Sequence, residues 1–231
     1  MTDNGYGMDR DDLALGVERH ATSKLQDDDL SRIFTLGFRG EALPSIRAVA
    51  RLSIRSRAHG AHQTYEIAVN GGTKAPLKPA AMGEGTRIEV RDLFYATPAR
   101  LKFMKSERVV IADVLKRLAL AKPEVAFSLA TGDRTALRFE LCPPDCSNMG
   151  WRVLANILGE EFVADALPVC GARGAAAVEG FAGLPTLHQP NGLAQYLVVN
   201  SRPVRDKLLA GAGRAAATSC PTGAIRCSRC S

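Results

Sequence analysis

The chain has 231 residues and a mass of 24.7 kDa, enough for one large domain or two ordinary ones whose core needs no disulfide staples. With 46% apolar and 23% charged residues and a mean hydropathy of −0.05 it reads as globular, neither disordered nor collagen-like. Thirty Lys and Arg against twenty-four Asp and Glu give a net charge of +6, which permits an anionic partner without requiring one.

No apolar run reaches the roughly 18 residues of a membrane span. Met1–Asp12 is polar and acidic where a secretory signal is basic and then apolar, so the chain is expected to stay in the cytoplasm, away from membranes. Cys142, Cys146 and Cys170 are scattered, and Cys220, Cys227 and Cys230 crowd the end; in that compartment all six are expected as thiols.

In chain order, the period predicts a helix over Met8–Arg19, entered through Asp9 with Leu13 and Val17 on one face, and a second over Glu41–Ala50. Leu52 and Ile54 alternate with Arg51, Ser53 and Arg55. Tyr65, Ile67 and Val69 alternate before Asn70-Gly71-Gly72, a strong hairpin signal. With Thr86–Val90 these segments imply an antiparallel sheet covered on one face. Helix resumes from Pro98 to Lys105 and from Glu107 to Ala121, followed by strands over Val125–Ala130 and Ala136–Leu141. The turn-rich Cys142–Ser147 stretch is the expected domain boundary. Beyond it, a helix is expected over Trp151–Leu158, strands over Val178–Leu184 and Tyr196–Asn200, and a helix over Val204–Ala217. Strands and helices mix without regular alternation, which favours α+β or a two-layer sandwich.

Four short segments carry candidate chemistry. In Asp3-Asn4-Gly5-Tyr6-Gly7-Met8, glycines allow close approach of a flat ligand while the Asp3 carboxylate, an acceptor only, suits an exocyclic amine such as that of adenine; a plain turn before a helix is the ordinary alternative. In His20-Ala21-Thr22-Ser23-Lys24, Thr22, Ser23 and Lys24 offer donors to phosphate oxygens, although a basic helix end explains the same residues. Leu36-Gly37-Phe38-Arg39-Gly40-Glu41-Ala42-Leu43 is a glycine-hinged loop feeding a helix start, where free N–H groups favour anions. Gly83-Glu84-Gly85-Thr86 enters a strand and serves either as a hairpin turn or, if Thr86 lies beside Asp3, as part of a base pocket.

These strings, with Asp92-Leu93-Phe94-Tyr95-Ala96-Thr97-Pro98-Ala99-Arg100, occur in the order seen in the N-terminal half of the MutL family of DNA mismatch repair ATPases, which the chain resembles over roughly Thr2–Ala216. Val199–Asp206 resembles that family's second-domain signature. The resemblance implies a GHKL-type ATP site in a two-layer α/β sandwich over residues 1–143, then a smaller α/β transducer domain over 148–217. It implies that Asp3 binds the adenine amine with Gly5, Gly7 and Thr86 around the base. It implies as well that Thr22, Ser23 and Lys24 face the phosphates and that Gly37, Phe38, Arg39, Gly40, Glu41, Ala42 and Leu43 form the lid. The family closes on ATP as a homodimer, binds DNA, uses Mg2+ and relays mismatch recognition by a MutS-type protein to strand incision. The rival function is a non-catalytic DNA- or protein-binding fragment using Arg51, Arg55 and Arg57.

The chain also departs from the family. The motif that carries a glutamate base and a magnesium-binding asparagine precedes the Asp-Asn-Gly string, and this sequence starts two residues before that string. No residue here takes over those roles. Because a general base is typically worth about 10² to 10⁴ in rate, hydrolysis is expected to be nearly lost in this polypeptide. The family's His-Pro-x-Lys lysine is absent, and Ala96 stands where the family carries asparagine. Residues 218–231 lack the expected strand alternation. Codons compatible with them spell an alternating apolar strand in a neighbouring frame, so the tail is read as frameshifted. A zinc site on Cys220, Cys227 and Cys230 is the rival reading and is one ligand short. Uncovering part of a sandwich costs an amount comparable with a domain's whole stability of about 5–15 kcal/mol. The isolated chain is therefore expected to be marginal or aggregation-prone, and a reversible cooperative melt well above 37 °C would refute that.

Overall fold

The computed structural model describes residues 1–21, 36, 37, 39–101, 108–132, 134–141, 149–184 and 195–219. They fall into two compact units, Met1–Ser106 and Glu107–Ser231.

The first unit is an antiparallel sheet with helices on one face. Its strands are β1 (Thr2–Asp3), β2 (Arg51–Arg57), β3 (Thr64–Asn70), β4 (Thr73–Lys74), β5 (Lys78–Ala80) and β6 (Gly85–Arg91), in the order β1-β6-β2-β3-β4 with β5 also on β3. Alternation dictates the two faces. Leu52, Ile54, Ile67 and Val69 point inward, where Leu13 and Val17 of the first helical segment complete a fully buried cluster. Glycine dictates the hairpin: Asn70 pairs with Thr73, and the two loop residues Gly71 and Gly72 have φ of +54° and +91°, a turn that L side chains resist.

Helix α1 (Arg10–Gly16) is capped by Asp9, whose side chain accepts from the N–H groups of Asp11 and Asp12. It ends sooner than its apolar period suggests, because the Glu18 N–H turns back to Leu15 O and His20 takes φ +62°. Helix α2 (Ala42–Arg47) likewise closes early, with the Val49 N–H on Ile46 O. Helix α3 is described over Pro98–Leu101, and the rest of the helix expected to Lys105 lies outside the described residues.

The outward face is ionic. Glu66 takes hydrogen bonds from Ser53 and Arg55 at 3.1 and 3.0 Å, with Lys78 at 3.7 Å; Glu89 lies between Arg87 at 2.8 Å and Arg91 at 3.0 Å. Arg51 pairs with Asp92 at 3.0 Å and stacks over Tyr95.

The second unit comprises α4 (Arg108–Ala121), β7 (Phe127–Thr131), β8 (Arg134–Phe139), α5 (Met149–Leu158), α6 (Glu160–Ala164), β9 (Ala166–Arg173), β10 (Ala176–Gly183), β11 (Leu197–Val199), β12 (Arg202–Val204) and α7 (Lys207–Ser219). Ala119, Phe139, Val153 and Ile157 form its core. Its strands pair as three antiparallel hairpins. Asp113 is held by Arg117 at 2.9 Å and by Arg205, while Arg117 stacks on Tyr196.

The architecture is the mixed α+β one the sequence implies, with differences at particular elements. The division between units falls at Ser106, ahead of the turn-rich 142–147 stretch, because α4 packs on β12, α5 and β7. The helix expected from Val204 begins at Lys207: Val204 closes a hairpin on Leu197, and Asp206 caps the helix by accepting the Leu209 N–H at 2.8 Å. Residues 142–148 and the tail from 220 lie outside the described residues. Among the described residues no helix is long and apolar enough to cross a membrane.

Burial pushes the Glu66 carboxyl up, but its bonds from Arg55 and Ser53 and the charge of Lys78 outweigh it and hold the group below the ordinary 4.5. Burial likewise raises Asp113, and Arg117 and Arg205 more than reverse it. A depressed folded pKa contributes stability above the unfolded value that is lost as pH falls through the folded one. Protection factors in β2 and β3, with the intrinsic exchange rate at each pH divided out, should therefore fall below about pH 4.5. Glu66→Gln should exchange faster at pH 7 and with a flatter acid dependence; a profile identical to that of the parent would contradict the assignment.

Candidate functional site

The glycine turn at the start of the chain is held by backbone contacts that leave no space for a side chain. Asp3 pairs with Thr86 across β1 and β6, and the far end of that short ladder is tied by the Met1 ammonium on Ile88 O and the Ile88 N–H on Met1 O. At Gly85, φ is +107° and a Cβ would lie 2.1 Å from Asp3 O. At Gly7, φ is +67° and a Cβ would lie 2.0 Å from Arg57 O. The Gly5 N–H donates to Asp3 Oδ1 at 3.0 Å, closing an Asx turn, and the His59 N–H donates to Tyr6 O at 2.8 Å. Directly opposed residues of an antiparallel pair leave the sheet on the same face. Asp3, Thr86 and its β2 partner Ser56 thus form one row across three strands, on the face that buries Leu52 and Ile54.

Asp3 is exposed, while Thr86 and Ser56 are buried. Ser56 Oγ accepts the Met8 N–H at 2.7 Å, contacts Gly85 O at 3.1 Å and lies 3.0 Å from Thr86 Oγ1. The row ends in an open carboxylate beside a buried hydroxyl, bordered by backbone that only glycine permits. Ser56 is not among the residues singled out from sequence. Its signal was available, as a polar residue on the inward register of Leu52 and Ile54.

Of the loop residues, Gly37, Arg39, Glu41 and Ala42 are exposed, and Leu43 packs against the same core cluster as Met8. The glycine turn and the start of α2 are therefore anchored on one cluster. Gly40 has φ +60°, and a Cβ there would meet Ala21 O at 2.4 Å. The loop's second glycine thus presses on the residue that precedes Thr22, Ser23 and Lys24. Those three and Phe38 lie outside the described residues. Helix α2 has only six residues and no side-chain cap at Glu41, so its free N–H groups give a weaker anion site than a long helix would.

The alternative basic cluster is largely occupied. Arg51 is engaged by Asp92 and Arg55 by Glu66, whereas Arg57 Nε is buried with no partner among the described residues. A cavity of about 250 Å³ opens on this outward face, lined by Arg51, Arg55 and Arg91 but also by Glu66 and Glu89. Among the described residues no group of three His, Cys, Asp or Glu is placed to hold a metal ion.

Residues 154–223 match the family described as DNA mismatch repair protein, C-terminal domain. The chain is 57% identical over 219 residues to the DNA mismatch repair protein MutL of Azorhizobium caulinodans, covering 94% of this chain and 35% of that protein. It is 54% identical to MutL of Rhodopseudomonas palustris strain HaA2, covering 94% and 36%. It thus spans about a third of the length of the curated relatives it matches. Among solved structures, the ADP-complexed ATPase domain of Aquifex aeolicus MutL superposes with a TM-score of 0.67 at 26% identity, covering 93% of this chain and 73% of that one. The N-terminal domain of a DNA repair protein superposes at 0.69 with 22% identity, covering 89% and 64%, a likeness of fold alone.

Gly85→Ala should force β1 off β6. The amide of Ile88, bonded to Met1 O, should then exchange at least about tenfold faster, since a left-handed φ alone costs roughly 1–2 kcal/mol before the backbone clash. Gly83→Ala, with open space around it, should leave that amide unchanged.

Proposed function

The chain belongs to the MutL family of DNA mismatch repair proteins, and from that premise we propose that its first unit carries the base-binding end of an ATP pocket. The observation that carries this reading is the cross-strand pairing of Asp3 with Thr86 beside the Gly5–Gly7 turn. A carboxylate is an acceptor only, and next to a hydroxyl it is matched to an amine with two N–H groups, the functional group that distinguishes adenine. Gly5 and Gly7 remove side chains from the path of a flat base. The likeness to an ATPase domain complexed with ADP supports the same ligand class.

Thr22, Ser23 and Lys24 supply donors and charge to the phosphates, and Gly37, Phe38, Arg39, Gly40, Glu41, Ala42 and Leu43 form the lid over them. The Gly40–Ala21 backbone contact supports this arrangement by putting the lid's hinge against the start of the phosphate segment. Mg2+ would neutralise phosphate charge; no side chain described here is assigned to it. Residues 148–217 act as the transducer, a reading that the family match over 154–223 favours. In the whole protein, ATP closure dimerises two such regions around DNA in the cytoplasm and couples a MutS-type mismatch sensor to strand incision.

Calorimetric titration of the chain with ADP tests the pocket. Asp3→Asn should weaken binding by about 10- to 100-fold, the worth of a charge-assisted hydrogen bond of roughly 1.5–3 kcal/mol. An Asp3→Asn variant that binds as tightly as the parent, or a parent that binds no ADP, would overturn the proposal.

A further inference from the structure

Behind the Asp3–Thr86 pair lies a hydroxyl that touches no solvent. Ser56 is the last inward residue of β2 before the strand ends at Arg57, and it is 0% exposed. Its hydroxyl has one proton and two lone pairs, and three polar groups converge on it. The Met8 N–H, at 2.7 Å, can only donate. The Gly85 carbonyl, at 3.1 Å, can only accept. The third, Thr86 Oγ1 at 3.0 Å, can do either. One assignment satisfies all four groups: Ser56 gives its proton to Gly85 O and accepts from both Met8 N and Thr86 Oγ1. Buried polar groups are overwhelmingly satisfied in this way. The Thr86 proton is thereby directed inward, away from Asp3.

We propose that Ser56 is a specificity-determining positioning residue that fixes the hydrogen-bond polarity of the base pocket and so favours a 6-amino over a 6-oxo purine. This rests on the adenine reading above. With the Thr86 proton committed to Ser56, Thr86 offers the pocket only lone pairs, and Asp3, whose Oδ1 already takes the Gly5 N–H, offers only lone pairs as well. A 6-amino group brings two protons to that row. A 6-oxo group brings a third acceptor and leaves lone pairs facing lone pairs, a mismatch that costs more than a missing contact. Without the Ser56 hydroxyl, the Thr86 hydroxyl is free to rotate and donate to a carbonyl. The Met8 N–H loses its acceptor in the same change, so the glycine turn also loosens.

These two consequences have different signatures. Loosening the turn weakens every purine nucleotide alike, whereas freeing the Thr86 proton changes the ratio between them. The test titrates the chain with ADP and with inosine diphosphate by calorimetry, for the parent, Ser56→Ala and Ser56→Cys. The cysteine variant nearly keeps the buried volume while replacing the hydroxyl by a weak donor and acceptor, and decides the matter if the alanine variant does not fold. The parent should prefer ADP strongly, and the variants should narrow that preference about tenfold, the worth of one neutral hydrogen bond. Variants that weaken both nucleotides equally, leaving the ratio intact, would reduce Ser56 to a structural residue and overturn the proposal. A parent that binds neither nucleotide would sink the adenine reading itself and this inference with it. A parent that binds ADP while the variants keep its ratio removes the inference alone.

Discussion

The first unit depends on a backbone approach too close for any Cβ. Gly85 lets β6 come against Asp3 O, and Gly7 lets the following turn come against Arg57 O. With those contacts in place, two residues of β1 suffice to set a register in which Asp3 opposes Thr86 and Thr86 opposes Ser56. Strand side chains alternate with period two, so a slip of one residue would turn Asp3 to the opposite face and dissolve the row. The glycines therefore matter less for flexibility than for the close packing of three strand ends.

The sheet those strands belong to separates two kinds of chemistry. One face is hydrocarbon, with Leu52, Ile54, Ile67 and Val69 against Leu13 and Val17. The other is a lattice of ions in which each carboxylate is shared by two cations: Glu66 by Arg55 and Lys78, and Glu89 by Arg87 and Arg91. The hydrogen bond from Arg91, with the field of Arg87, holds Glu89 below its ordinary range. Sharing of this kind commits guanidinium donors that a free basic patch would present to a polyanion. Arg51 and Arg55 read more naturally as the solvated side of a sheet, and the proposed base-binding residues collect on the covered side.

Legibility in the sequence followed the range of the interactions. The Asn70-Gly71-Gly72 hairpin was readable because its turn needs two left-handed residues and the sequence offers two glycines. Leu13 and Val17 were readable as a buried face because helical period brings them together. Strand β1 was not, since two residues carry no periodicity and its strand character comes entirely from pairing with β6. Strand β9, with Pro168 and Gly171 inside it, has weak intrinsic preference and exists through its ladder with β10. The start of α7 is not legible from helical period because Val199–Arg202 closes a hairpin through Asn200 and Ser201, both at positive φ without being glycine. At the site, Asp3, Gly5, Gly7 and Thr86 stand out as motif residues, whereas Ser56 acquires meaning only from its three hydrogen-bond partners.

The Met1–Ile88 contact joins positions 87 apart in the chain, while β3 and β4 meet across a two-residue loop. Closing a long loop is entropically dearer than closing a short one, so hairpins of neighbouring strands form readily and the first strand has nothing to dock on until β6 has joined β2. Loop-closure entropy alone thus places the corner holding Asp3 late in the assembly of the sheet. Because β1 and β6 lie at the two sequence ends of this sheet, a ligand spanning Asp3 and Thr86 would act as a latch on the final step rather than a seed for the first.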